Sequence, residues 1–416
     1  MAAPSETRSS ERVVVAAFAA VVLFAVSWTV LHTGFYTHRQ ILDTPVYQRY
    51  GNAIADGKVP YRDFDVEYPP GALPVFALPG LAEPGHDQQV SSGFRRAFET
   101  LMWICGAAAL VAMSLVLRAL RRGAVSVWGA LTFAALAPLA LGSVILSRFD
   151  LWPAAIVVLA LAALVSGRLR TGHALLGLGL VVKIYPGVLI PVAVAFAWKR
   201  AGRREALACL GLAVGIAALV VLPFAVVAPH GVWHSLTVQL SRPLQVESLG
   251  SAVLLALHHA FGLGITAETS HGSQNLAGSA ADVTAVAATV VQAAALVWIW
   301  AAFARGPGSA EALVRSSAGA LCAFVAFGKV LSPQFLIWLI PVVPLVRGRR
   351  GLWASVLLAA ALVLTQVWFP FRYFRLALHF EPGLSWLLLA RDLVLVALTA
   401  LLFTSLRRGA TRRESP

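Results

Sequence analysis

The chain has 416 residues, of which 59% are hydrophobic and only 12% charged, with mean hydropathy +0.77. Soluble domains carry about 25% charged residues, so half the usual water-facing charge is missing and a soluble globular enzyme is excluded. The net charge of +14 does not mark a nucleic-acid binder, because Arg and Lys gather in short linkers between apolar runs, the pattern of cytoplasmic loops in a membrane protein.

In chain order, residues 1–12 are polar, carry both signs of charge and read as a cytoplasmic tail. Val13–His32 is longer than a signal-peptide core and no small-residue cleavage site follows it, so it reads as an uncleaved first span. The polar stretch 33–96 is then a long first extracytoplasmic loop carrying short surface helices, with Ala72–Leu81 lying on the outer leaflet. Spans are expected over roughly 13–32, 98–117, 124–146, 151–167, 172–183, 187–198, 206–224, 284–304, 312–328, 333–346, 352–369 and 385–405. Residues 225–283 form a second large outer loop, in which 250–262 is apolar but too short to cross. Residues 406–416 are a basic cytoplasmic tail.

The predicted architecture is an all-α integral membrane protein, a polytopic bundle of about 12 transmembrane helices forming a single membrane-embedded domain. Both termini are cytoplasmic on this drawing. The charges test it: the inner segments hold 20 Lys/Arg and five acids, the outer ones 13 basic and 14 acidic residues. The inside is strongly positive and the outside nearly neutral, as the orientation requires.

Two helix breaks interrupt the apolar pattern, at Lys183–Pro186 and at Lys329–Gln334. Irregular backbone at membrane depth is tolerated only where protein or a wet cavity covers it. Each break carries a lysine, which needs a carboxylate partner such as Asp150, a route to the surface, or an anionic ligand. Arg148, Asp150, Arg242 and Glu247 fall at the same outer level, and together these cations suit a phosphate.

The acids concentrate in the first loop, at Asp43, Asp63, Asp65 and Glu67. Asp43 stands apart because it follows the first span closely. Asp63-Phe64-Asp65 matches a D-x-D metal pattern, a short signal that a solvated loop also produces. Cys105, Cys209 and Cys322, and the outer histidines His234, His258, His259 and His271, show no metal-ligand spacing.

Six motifs recur in one order: Asp43-x-x-Val46-Tyr47, Tyr61–Gly71 (Y-R-D-F-D-V-E-Y-P-P-G), Ser147–Ala154 (S-R-F-D-L-W-P-A), Val182–Pro191 (V-K-I-Y-P-G-V-L-I-P), Arg242–Leu249 (R-P-L-Q-V-E-S-L) and Lys329–Trp338 (K-V-L-S-P-Q-F-L-I-W). In this the chain resembles actinobacterial glycosyltransferase family 87, multispanning enzymes of the C-type fold that include polyprenyl-phosphate-mannose-dependent mannosyltransferases. The resemblance implies an inverting transfer of a hexose from a polyprenyl-phosphate donor to a glycolipid or glycan on the outer face of the plasma membrane. It implies Asp43 as catalytic base, and Lys183, Lys329, Arg148 and Arg242, read above as a phosphate site, are then the expected cations for the donor phosphate. Tyr47, Glu67, Tyr68, Asp150, Tyr185, Gln245, Glu247 and Gln334 are the expected substrate contacts, with no metal cofactor and no nucleic acid.

A transporter or flippase of lipid-linked sugars is the alternative, since broken helices bearing charges also occur in transporters. Those proteins place their sites near the midplane and often contain inverted repeats. Here the ionisable groups lie toward one face and no repeat is visible.

Overall fold

The structure, a computed structural model, describes residues 4–38, 40–83 and 90–411. Residues 1–3 of the expected N-terminal tail, residues 39 and 84–89 of the first loop, and residues 412–416 of the basic tail lie outside the described residues.

Helix α1 (Pro4–Val30) leads through a 3-10 turn at Gly34–Thr37 into the first loop, which builds α2 (Thr44–Ala55) and α3 (Pro74–Ala82). These two cross where Gly51 meets Gly80, and a Cβ on either would collide with the other helix's backbone. The stretch at 72–81 is therefore a helix packed on protein. Next come α4 (Ser92–Ala119), α5 (Ala124–Leu141), α6 (Leu151–Val165), α7 (Leu169–Val182) and α8 (Ile190–Val227), the last broken at Gly202 with φ +81°. The second large loop carries α9 (Pro229–Leu240), α10 (Leu249–Phe261) and a hairpin of β1 (Thr266–Ser270) with β2 (Ser273–Ala277). It is followed by α11 (Ser279–Arg305), α12 (Ala310–Ala326), the single turn α13 (Leu336–Leu339), α14 (Gly348–Trp368), α15 (Tyr373–His379) and α16 (Pro382–Thr411).

The hairpin departs from an all-helical reading. Its two-residue turn, His271-Gly272, takes positive φ at both positions (53° and 65°), the geometry that matches strand twist in a tight hairpin. β2 also accepts from Val246 N–H at Gln274 and donates from Leu276 N–H to Leu244, so residues 244–246 run antiparallel beside it through a single bridge at Gln245–Asn275.

Among the described residues, seven stretches are long and apolar enough to cross a membrane: Glu11–Val30, Ser92–Ala119, Ala124–Leu141, Tyr185–Val227, Ser279–Arg305, Gly348–Trp368 and Pro382–Thr404. The chain is thus an α-helical, multi-pass membrane protein. Segments Leu151–Val165, Leu169–Val182 and Pro333–Leu345 are shorter than that. α6 is buried nearly all round, as expected of a central helix. By contrast α8 and α11 turn rows of Leu and Val outward, including Leu219, Val226, Val286 and Val290, faces suited to lipid tails.

The bundle has two chemically distinct ends. At one, the basic linkers meet: Arg122 donates to Glu311 (2.7 Å) and to the Leu345 carbonyl (3.0 Å), Arg170 grips Glu205, and Lys199 reaches the Gly306 carbonyl. At the other, the first loop, both helix breaks and the second loop converge.

Candidate functional site

Asp43 immediately precedes α2, whose second residue is proline, a residue that suits a helix's first turn. One turn on, Tyr47 shares its face and donates to the Asp43 carboxylate at 3.4 Å. Tyr47 is fully buried, stacked on Phe76 and edge-on to Phe149 and Tyr68. Asp43 is ion-paired with Arg148, which arrives from the linker between α5 and α6. Arg148 is itself buried, and burial draws it down to about 10 against the pull of Asp150, Tyr373 and Glu247 nearby.

The break at Lys183 lies beside this pair. Lys183 is the extended residue at the end of α7, and its ammonium donates to Asp150 at 2.6 Å. The same Asp150 oxygen accepts from the Trp338 indole at 2.6 Å. Trp338 stacks flat on Tyr185 (4.0 Å, 6°), whose buried hydroxyl has no hydrogen-bond partner. Lys183 also lies over the rings of Phe149, Phe335 and Trp338, so its charge is lodged in an aromatic cage as well as an ion pair. The partner reading of this lysine is therefore what the structure shows. Gly71 packs directly on the backbone at Val181–Val182, which brings the Tyr61–Gly71 motif against the same break.

The second loop closes the third side. The bridge to β2 fixes Gln245, with Glu247 two residues on, and Gln245 N–H donates to the Lys329 carbonyl at the other break (3.0 Å). Lys329 donates its ammonium to Leu240 O (2.9 Å), satisfying a carbonyl at the end of α9. Arg242 donates to the His271 carbonyl (3.1 Å) and lies near enough to Lys183 and Glu247 for their charges to interact. The Glu247 carboxyl is buried and is pushed up to about 7 by that burial, with Tyr373, Arg391 and Arg242 as its neighbours.

Asp43, Tyr47, Tyr68, Arg148, Asp150, Lys183, Tyr185, Arg242, Gln245, Glu247 and Lys329 thus gather at one end of the bundle. Glu67 and Gln334 lie at its margin. The Glu67 carboxylate is exposed beside the Gly272 turn, while Gln334 is half-buried in the turn Pro333–Phe335. Asp63 is turned back on its own loop, accepting from Arg62 (2.9 Å) and from the Val59 amide (2.7 Å), and these hold its carboxyl down to about 2. Among the described residues no three His, Cys, Asp or Glu side chains come together as a metal-binding group.

Three groups had no role in the sequence reading. Trp338 ties the second break to Asp150, Tyr373 faces Glu247, and Arg391 of α16 donates to the Glu247 carbonyl at 2.7 Å. Arg391 is also ion-paired with Asp392 (2.9 Å), both wholly buried. Two ionisable residues inside an apolar span were the available signal, because such residues face the bundle interior.

Comparison with known families matches residues 67–333 to glycosyltransferase family 87, well over half of the chain. The chain belongs to glycosyltransferase family 87. The family assignment makes it a membrane glycosyltransferase, acting on sugar donor and acceptor substrates. The matched region takes in the first helix break, the second loop and the second break up to Pro333 of this family 87 protein, and it begins after Asp43. No curated protein matches the chain.

Proposed function

We propose that this family 87 enzyme moves a hexose, mannose foremost, from a polyprenyl-phosphate donor onto a hydroxyl of a glycolipid or glycan. The reaction takes place at the extracytoplasmic face of the plasma membrane, on a C-type bundle of about 12 crossings with both termini inside. The observation that carries it is the Asp43–Arg148 ion pair, which joins the first-loop acid to a buried arginine whose charge interacts with Lys183.

In this reading the acceptor oxygen attacks the anomeric carbon while Asp43 takes its proton. The bond from that carbon to the phosphate oxygen breaks, its electrons leave with the lipid phosphate, and the anomeric centre inverts. Arg148, Lys183, Arg242 and Lys329 are the cations for the leaving phosphate, stabilising charge as it develops without a metal. Arg148 and Lys183 are held on carboxylates and the other two on carbonyls, so donor binding is an exchange of partners. The resting partners keep the cations oriented before substrate arrives, which lowers the reorganisation needed during transfer. Glu67, Gln334, Tyr185 and Gln245 are substrate contacts around that core.

The test uses purified protein in lipid nanodiscs with radiolabelled polyprenyl-phosphate mannose and a mixture of glycolipid acceptors. Transfer of label to an acceptor with release of polyprenyl phosphate is expected. In sealed vesicles, movement of intact donor across the bilayer without product would instead establish the transporter alternative.

A further inference from the structure

A polar cavity lies at the start of α2, next to Asp43 in the chain. It has a volume of about 200 Å3 and is lined by His32, Gln40, Thr44, Arg95, Glu99 and Ser147 among others. Thr44 and Ser147 are the chain neighbours of Asp43 and Arg148, so the ion pair stands at the cavity's edge. On its far side Arg148 meets Asp150, Glu247 and Tyr373. The Asp43–Arg148 pair is therefore a partition between the cation cluster and this cavity.

Two features mark the cavity as built for a ligand. Glu99 is held by His32 (2.8 Å) and lies 3.6 Å from Arg95, fixing donors and acceptors side by side at the ends of α1 and α4. Thr44 is 1% exposed and its hydroxyl is buried with no hydrogen-bond partner. A buried hydroxyl left unpaired is unfavourable unless something else supplies the partner.

We infer that this cavity seats the terminal sugar of the acceptor. A pyranose hydroxyl both donates and accepts, and a lining that mixes carboxylate, amide, guanidinium and hydroxyl groups offers both. The Glu99 carboxylate disfavours a phosphate here, which keeps the donor on the opposite side of the pair. The volume is below the roughly 300 Å3 at which pockets for drug-sized molecules begin, and suits one ring with the rest of the acceptor outside. Placed here, a sugar lies against Thr44 and Ser147, the chain neighbours of Asp43 and Arg148. The assignment rests on the transfer reaction proposed above.

The test separates the two sides of the partition. Thermal shifts of wild type, Thr44→Val and Glu99→Gln are titrated with hexyl mannoside, hexyl glucoside and hexyl galactoside, and separately with polyprenyl phosphate. Thr44→Val keeps the cavity's volume, so its unliganded melting temperature is expected to be unchanged or higher. Its half-saturating glycoside concentration is expected to rise about three- to tenfold, as for loss of a neutral hydrogen bond. Glu99→Gln is expected to raise it about 10- to 100-fold, as for a charge-assisted bond. Response to polyprenyl phosphate should be unchanged in both variants. Unchanged glycoside affinity in both, equal weakening of both ligands, or no glycoside response in wild type overturns the assignment. A Thr44-dependent glycoside response in a protein that ignores polyprenyl phosphate keeps the cavity and removes the lipid-phosphate donor instead.

Discussion

The guanidinium of Arg148 is paired with the carboxylate of Asp43, so the linker before α6 is locked to the start of α2. That one contact couples the first loop to the centre of the bundle, and it sets the proposed base beside the proposed leaving-group clamp.

Asp43→Asn keeps the shape of the side chain and removes its ability to accept a proton. Transfer is expected to fall by about 100- to 10,000-fold, the usual weight of a general base. Protein yield and elution in detergent should stay as in wild type. Near-native turnover in this variant would remove Asp43 from the role of base.

Among the described residues, Lys183→Met leaves Asp150 buried with the Trp338 indole as hydrogen-bond partner and Arg148 as the nearby cation. Breaking a buried pair from one side costs about 3–5 kcal/mol, so the melting temperature is expected to drop sharply. Combining it with Asp150→Asn removes the stranded charge and should recover much of the loss. If the double variant is no more stable than Lys183→Met alone, the two residues are not acting as a pair.

Glu247 has its carboxyl raised from an ordinary 4.5 to about 7 by burial. A carboxyl raised in the folded state binds its proton more tightly there than when unfolded. Its contribution to stability is fully present below pH 4.5 and is lost as pH rises to about 7. Glu247→Gln is expected to flatten that part of the profile when melting is followed from pH 5 to 8. Identical profiles for the two proteins would show that Glu247 does not titrate in this window.

Chelator is expected to leave transfer intact, since the proposed clamp consists of Lys and Arg side chains. Asp63, the first acid of the D-x-D pattern, is committed to Arg62 and the Val59 amide. Abolition of activity by EDTA with recovery on adding manganese would bring Asp63, Asp65 and Glu67 forward as ligands.

Much of the scaffold was legible because its signals are local. Apolar length marks the spans, and Pro186 and Pro333 mark the breaks behind Lys183 and Lys329. The partners of those lysines were harder to read. Asp150 as partner to Lys183 was one of several readings, and the Asp43–Arg148 pair joins segments far apart in sequence, the first carried by α2, which packs on α3, and α3 in turn on α4. The hairpin escaped because attention to apolar periodicity passes over a polar five-two-five pattern, although His271-Gly272 is a recognisable turn. Arg391 and Asp392 escaped for a different reason. They cancel in a charge count, and only their depth in α16 shows that they are structural.

That buried pair bears on how the protein is made. A lone helix carrying Arg391 and Asp392 meets a cost of about 2.5–3.5 kcal/mol for each charge that sits deep in the bilayer. The groups that receive Arg391 are the Glu247 carbonyl and the Trp368 ring, and both precede α16 in the chain. During synthesis, α16 therefore enters a membrane in which its reception site has already been translated, and its integration is an act of assembly rather than of simple partitioning.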